Sequence, residues 1–130
     1  MSISNDNFTR HNEKYTEQMT KLKYAAGTGA VVKGLKETLR TIESGKAKIV
    51  YCAKNENEDY MNLIQKFSEI YKKELVIVGD WLELRDILFK TKPSYLIIEE
   101  AKRQGIIPKI NPKCFCAAII EVEESAMKVE

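Results

Sequence analysis

Residues 49–53 read Ile49-Val50-Tyr51-Cys52-Ala53, an unbroken apolar run of strand length between Lys48 and Lys54. A strand with one wet face alternates apolar and polar residues, so a run without alternation predicts a strand covered on both faces. Residues 75–78, Leu75-Val76-Ile77-Val78, repeat the pattern. Between the two runs Tyr60, Leu63, Ile64, Phe67 and Tyr71 stand at i, i+3, i+4, i+7 and i+11, the spacing of a single helix face. Asn55-Glu56-Asn57 is the expected turn into that helix. Buried strand, helix, buried strand predicts an α/β fold, a three-layer α/β/α sandwich built on a small mixed sheet.

Toward the N-terminus, Leu35, Leu39 and Ile42 recur at i, i+4 and i+7 between Gly34 and Ser44-Gly45, a short amphipathic helix with a glycine stop. Ala30-Val31-Val32 is a β-prone piece before it. Tyr15, Met19, Leu22 and Tyr24 predict a helix over residues 13–24, with Ala25-Ala26-Gly27-Thr28-Gly29 as a break. Residues 1–12 carry Ser, Asn, Asp and Thr with little to bury and read as a disordered leader.

Toward the C-terminus, Asp80 and Glu83 fit a capping box ahead of Leu84, Ile87 and Leu88, in a helix that ends before Lys90. Residues 94–104 predict another helix, capped by Ser94 and closed by Gly105, and residues 116–122 a last strand. One domain over 13–122 and an acidic tail over 123–130 complete the plan.

The chain has 130 residues, 44% of them hydrophobic, enough for one self-sufficient core. Three cysteines and a single histidine, His11 in the leader, do not make a four-ligand zinc site or a secreted disulfide framework, and they favour a reduced compartment. Asn7-Phe8-Thr9 matches a glycosylation acceptor but has no secretory signal before it. The longest apolar run, residues 114–120, is far short of a membrane span.

Several motifs invite chemistry and fail on their residues. Residues 29–36, from Gly29 to Lys36, approach a phosphate-cradling loop, but Leu35 stands where the lysine belongs and no Ser or Thr follows to hold magnesium. Cys114 and Cys116 lack the two-residue spacer of redox and zinc motifs; strand alternation would turn both thiols to one face, as buried structural residues. Glu56, Glu58 and Asp59 are explained by a helix start. No catalytic constellation, cofactor site or metal site is expected.

Charge is segregated although the net value is only +2. Over residues 33–54 the bases Lys33, Lys36, Arg40, Lys46, Lys48 and Lys54 face only Glu37 and Glu43. Lys102, Arg103, Lys109 and Lys113 have no acid among them, and the last ten residues are acidic. The nearly neutral total thus hides two basic segments and an acidic end, which taken alone read as ordinary solvated faces.

Three segments in order carry a resemblance: residues 32–40 (Val-Lys-Gly-Leu-Lys-Glu-Thr-Leu-Arg), residues 49–55 (an apolar strand into Ala-Lys-Asn), and residues 113–120 (Lys-Cys-Phe-Cys-Ala-Ala-Ile-Ile). With the helix and strand between them, they make the chain similar to the kink-turn-RNA-binding superfamily of ribosomal proteins, in particular its eukaryotic small-subunit branch. The resemblance runs over residues 21–122. It implies an α/β/α sandwich, a structural place at the beak of the small-subunit head, contact with small-subunit ribosomal RNA and with neighbouring ribosomal proteins of the head and beak, and a cytoplasmic location in ribosomes. It also implies no enzymatic activity, no cofactor, no small-molecule substrate and no membrane. A protein-interaction adaptor on the same fold is the alternative.

The expected RNA-binding residues are Lys33, Gly34, Lys36, Glu37 and Arg40 around one helix start, together with Lys102, Arg103 and Lys109. The chain departs from the superfamily pattern in three places. Lys36 stands where kink-turn readers carry an amide, and an ammonium donates but cannot accept, so phosphate contact is its expected role. Arg85 replaces the glycine of a Leu-Gly turn, and residues 93–110 form an insertion.

Overall fold

The computed structural model describes residues 2–54 and 58–120, with side-chain surroundings from Glu13 onward. In chain order the elements are α1 (Ser2–Thr28), β1 (Val31–Lys33), α2 (Leu35–Glu43), β2 (Ala47–Ala53), α3 (Glu58–Ile70), β3 (Glu74–Val78), α4 (Trp81–Leu88), α5 (Ser94–Gln104) and β4 (Cys116–Ile120). The four strands form one mixed sheet in the order β1-β4-β2-β3. β4 runs antiparallel to both its neighbours, and β2 is parallel to β3 through the α3 crossover.

The unalternating run works as expected because alternate residues of β2 face two different helix layers. Tyr51 and Ala53 pack with Met19 and Leu22 of α1 and with Leu84 and Leu88 of α4. Val50 and Cys52 pack on the other face with Ile42 of α2 and Ile64 of α3. The β-bulge between Ala47 and Ile49 turns Ala47 to the second face, out of simple alternation. The result is the three-layer α/β/α sandwich.

Four local expectations are corrected. α1 continues through residues 25–28, because Ala25 is buried against the sheet and alanine favours helix; the chain leaves the helix at Gly29, whose φ of 81° suits glycine. Asp80 does cap α4, accepting from the Leu82 N–H at 2.9 Å, but Glu83 turns instead to the Tyr15 hydroxyl, 3.3 Å from each carboxylate oxygen. Ser94 is the first residue of α5, after Pro93 in the cap position, and its hydroxyl donates to Asp86 at 2.6 Å.

The fourth correction concerns the cysteines. Cys114 precedes β4 and lies in the core beneath α1 and α4, whereas Cys116 lies in the core beneath α2 and α3. Their thiols therefore occupy opposite faces, since strand alternation does not extend back to a residue outside the strand. The expected leader over 1–12, the turn at 55–57, the last two residues of the 116–122 strand and the acidic tail lie outside the described side chains.

Candidate nucleic-acid interface

The C-terminal ends of β1, β2 and β3 and the N-terminal end of β4 share one edge of the sheet. In open α/β sheets this is the edge where ligands collect, because helices begin there with their amides unpaired. At β1 the turn into α2 is made by Gly34 with φ 92°, a value that strains any residue bearing a Cβ. Its N–H donates to the Cys116 carbonyl at 3.0 Å, which ties the start of α2 to β4. No side chain caps α2, so its first amides point outward as a partial positive charge.

Lys33 and Lys36 stand exposed at this helix start. The Lys33 Nζ lies 4.6 Å from the centre of the Phe89 ring, a cation–π contact that holds the side chain near α4. Arg40 is drawn the other way: its guanidinium bonds Glu37 at 3.2 Å, an exposed i,i+3 pair on the helix surface. The helix start thus presents Lys33 and Lys36 as its outward cations, with Arg40 and Glu37 engaged together one turn further on.

The segment before β4 abuts this site. Burial raises the Cys114 thiol above its ordinary value, opposed by hydrogen bonding with the Gly34 and Cys116 backbones and by the charge of Lys33, which places Cys114 beside the α2 start. Next to it opens a cleft of about 370 Å³, lined by Trp81, Pro108, Lys109, Ile110, Asn111 and Lys113. Trp81 is the first residue of α4, and its ring rests against Phe115 at 5.6 Å between centroids. Lys54, exposed after β2, joins the same edge, where its N–H donates to the Val78 carbonyl.

Of the residues expected from sequence, Lys33, Gly34, Lys36 and Lys109 come to this one edge. Lys102 and Arg103 occupy the last turn of α5, where they complement the helix C-terminus. Trp81, with Lys113 beside it and Lys54, lies at this edge outside the expected set. The signal for Trp81 was a lone tryptophan directly after Gly79-Asp80, where a buried strand passes into a capped helix.

The chemistry of this edge is that of an anion receptor with an aromatic wall. The buried cysteines add no reactive group to it: burial raises Cys114 and pushes Cys52 up to about 11 and Cys116 up to about 12, so the latter two stay protonated at neutral pH. Among the described residues no group of three His, Cys, Asp or Glu could hold a metal ion. Among them also, no helix is long and apolar enough to cross a membrane.

Comparison with known proteins fits this geometry. Among the solved structures that share the fold are two of note. One is a Bacillus halodurans C protein of unknown function, with a TM-score of 0.57 at 11% identity over 78% of this chain and 81% of that one. The other is the Giardia lamblia 15.5kD RNA binding protein, with a TM-score of 0.53 at 15% identity over 88% of this chain and 80% of that one. A sequence comparison with curated proteins finds no match. The sequence profile of one family covers residues 16–93, more than half the chain, from the packed part of α1 to the residue before α5. The chain belongs to the ribosomal protein L7Ae/L30e/S12e/Gadd45 family.

Proposed function

We propose that this protein is a structural, non-enzymatic component of the small subunit of the eukaryotic-type ribosome, corresponding to small-subunit ribosomal protein twelve. In this reading it sits at the beak of the head, in the cytoplasm, and contacts small-subunit ribosomal RNA and neighbouring ribosomal proteins. The observation that carries the reading is that one end of the sheet holds both the uncapped α2 start, with Lys33 and Lys36, and a cleft in which Lys109 and Lys113 flank Trp81. The fold shared with an RNA-binding protein of Giardia lamblia supports it.

The residues divide the work. Lys33 and Lys36, with the α2 amides, bind backbone phosphate. Lys109 and Lys113 hold the phosphates flanking a base that leaves its stack and lies on Trp81. Lys36 in place of an amide makes phosphate contact, rather than reading of purine edges, the role of this helix start. Lys102 and Arg103, at the end of α5, reach a second stretch of RNA or a protein neighbour.

Sedimentation of the tagged protein from native lysate tests the assignment: comigration with small subunits and whole ribosomes through a moderate-salt wash is expected, and a free peak overturns it. In vitro, four phosphate contacts give a slope of log affinity against log salt of about −3 to −3.5. Replacing Trp81 by alanine should weaken binding to single-stranded or looped RNA about tenfold and leave that slope unchanged, because stacking is lost and no charge is. Lys33→Ala with Lys36→Ala should lower the slope itself by about 1.5 to 2. Filter binding at several salt concentrations separates the two effects.

A further inference from the structure

The outer edge of β3 is open: among the described residues the strand pairs only with β2. The Val78 carbonyl accepts from the Lys54 N–H, so Val78 faces β2, and strand alternation turns the N–H and C=O of Leu75 and Ile77 outward. Exposed edges are ordinarily blunted by charge, proline or a bulge. Leu75-Val76-Ile77-Val78 carries neither charge nor proline, and its register with β2 is unbroken.

Beside this edge runs a cleft of about 410 Å³, lined by Lys14, Tyr15 and Gln18 of α1 and by residues 74–77 of β3. Gln18 is only 6% exposed. Its Nε2 donates to the Glu74 carboxylate at 2.5 Å, which fixes the orientation of the carboxamide, and its Oε1 has no hydrogen-bond partner. A buried acceptor without a donor costs stability until a donor reaches it. The cleft therefore has the exposed Glu74 carboxylate at its rim and the unsatisfied Gln18 Oε1 buried in its wall, next to a row of unpaired backbone groups.

We infer that β3 accepts a fifth strand from a protein neighbour, an extended segment bearing a single arginine that pairs with Glu74 and Gln18. Backbone bonds to Leu75 and Ile77 give the affinity, and the arginine gives the register. Arginine fits better than lysine because its planar fork serves two adjacent acceptors at once. The Gln18 Oε1, buried in the wall of the cleft, comes within its reach when Glu74 exchanges the Gln18 Nε2 for the guanidinium and the released carboxamide turns. Lys14 at the rim, with Lys72 and Lys73 just before β3, repels a polybasic tract, so the segment carries one cation among apolar and threonine residues. This site lies away from the RNA edge and does not depend on the ribosomal assignment.

The test is a titration of the isotope-labelled full chain with the blocked hexapeptide Thr-Val-Arg-Val-Thr-Val, followed by NMR. Shifts and slowed exchange at the Leu75 and Ile77 amides, with a shift of the Gln18 side-chain amide, are expected. Gln18→Leu and Glu74→Gln should each weaken the peptide about tenfold, the loss of one charge-assisted contact, and leave RNA affinity unchanged. Gln18→Leu replaces a buried amide by an apolar group of similar size, and Glu74→Gln keeps the shape of an exposed residue, so both variants fold. Shifts elsewhere, no binding, or equal binding of the same peptide with glutamate for arginine overturns the inference.

Discussion

Replacing Arg85 by alanine should lower the stability of the domain by about 3 to 4 kcal/mol, roughly 10 °C in melting temperature, and release α5 first. The Arg85 side chain is 1% exposed. One guanidinium nitrogen bonds the Asp86 carboxylate at 2.6 Å and the Lys92 carbonyl at 2.8 Å, and another bonds the Asn111 carbonyl at 2.8 Å. Lys92 and Asn111 flank residues 93–110, so this one residue closes that segment at both ends. Arg85 thus holds residues 93–110 in place from both sides. Alanine leaves the Lys92 and Asn111 carbonyls without their donor and Asp86 with the Ser94 bonds alone, and that loss sets the size of the effect. Lysine should recover little of it, since a single ammonium cannot reach three acceptors spread around a plane. Native-state hydrogen exchange is the deciding measurement: unchanged protection in α5 would mean that the packing of Ala101 and not Arg85 orders residues 93–110.

The same clamp should open in acid. Partial burial pushes the Asp86 carboxyl up, but hydrogen bonds from the Ser94 hydroxyl and N–H and from Arg85 outweigh it and hold the group below its ordinary value. A carboxyl whose folded value is depressed stabilises the native state above its unfolded value, near 4, and that contribution is lost as pH falls through the folded value. α5 protection, corrected for intrinsic exchange rates, should therefore fall below about pH 4. The Asp86→Asn variant should show the loosened α5 already at neutral pH.

Ile64→Ala is expected to cost about 3 to 4 kcal/mol as well, by a different route. Ile64 is fully buried at the centre of α3, against Ile42, Val50, Cys52 and Ala118. Truncation opens a cavity beneath two helices and the two central strands, so the loss should appear in every strand together, where Arg85→Ala acts first on α5. The two residues lie on opposite faces of the sheet and share no partner. Their effects should add to within about 0.5 kcal/mol, and the double variant should approach the whole stability of a domain this size. Urea melts of the two single variants and the double variant check this; a strong departure from additivity would show that α5 and α3 are coupled through the sheet.

The strand and helix pattern was legible because its signals are local. An unalternating run such as residues 49–53 has to be covered twice, and the Ile64 stripe has one face to bury, whatever surrounds them. Gly34 and the lysines around it could be read as a helix start for the same reason. Arg40 was expected at the RNA on its spacing, but the spacing leaves open the rotamer, which in the fold turns its guanidinium to Glu37. Trp81 and Lys109, 28 positions apart, become one cleft only through the fold.

By itself, then, the sequence determined the α/β class, the buried strands, the amphipathic helices and the presence of a basic helix start, since each follows from periodicity within a dozen residues. Only the tertiary structure decided which distant groups meet: Cys114 and Cys116 on opposite faces, Tyr15 with Glu83, Ser94 and Arg85 on Asp86, Gln18 beside an open β3 edge. Those contacts depend on crossing angles and strand order, which arise when whole elements pack against one another and leave no trace in local spacing.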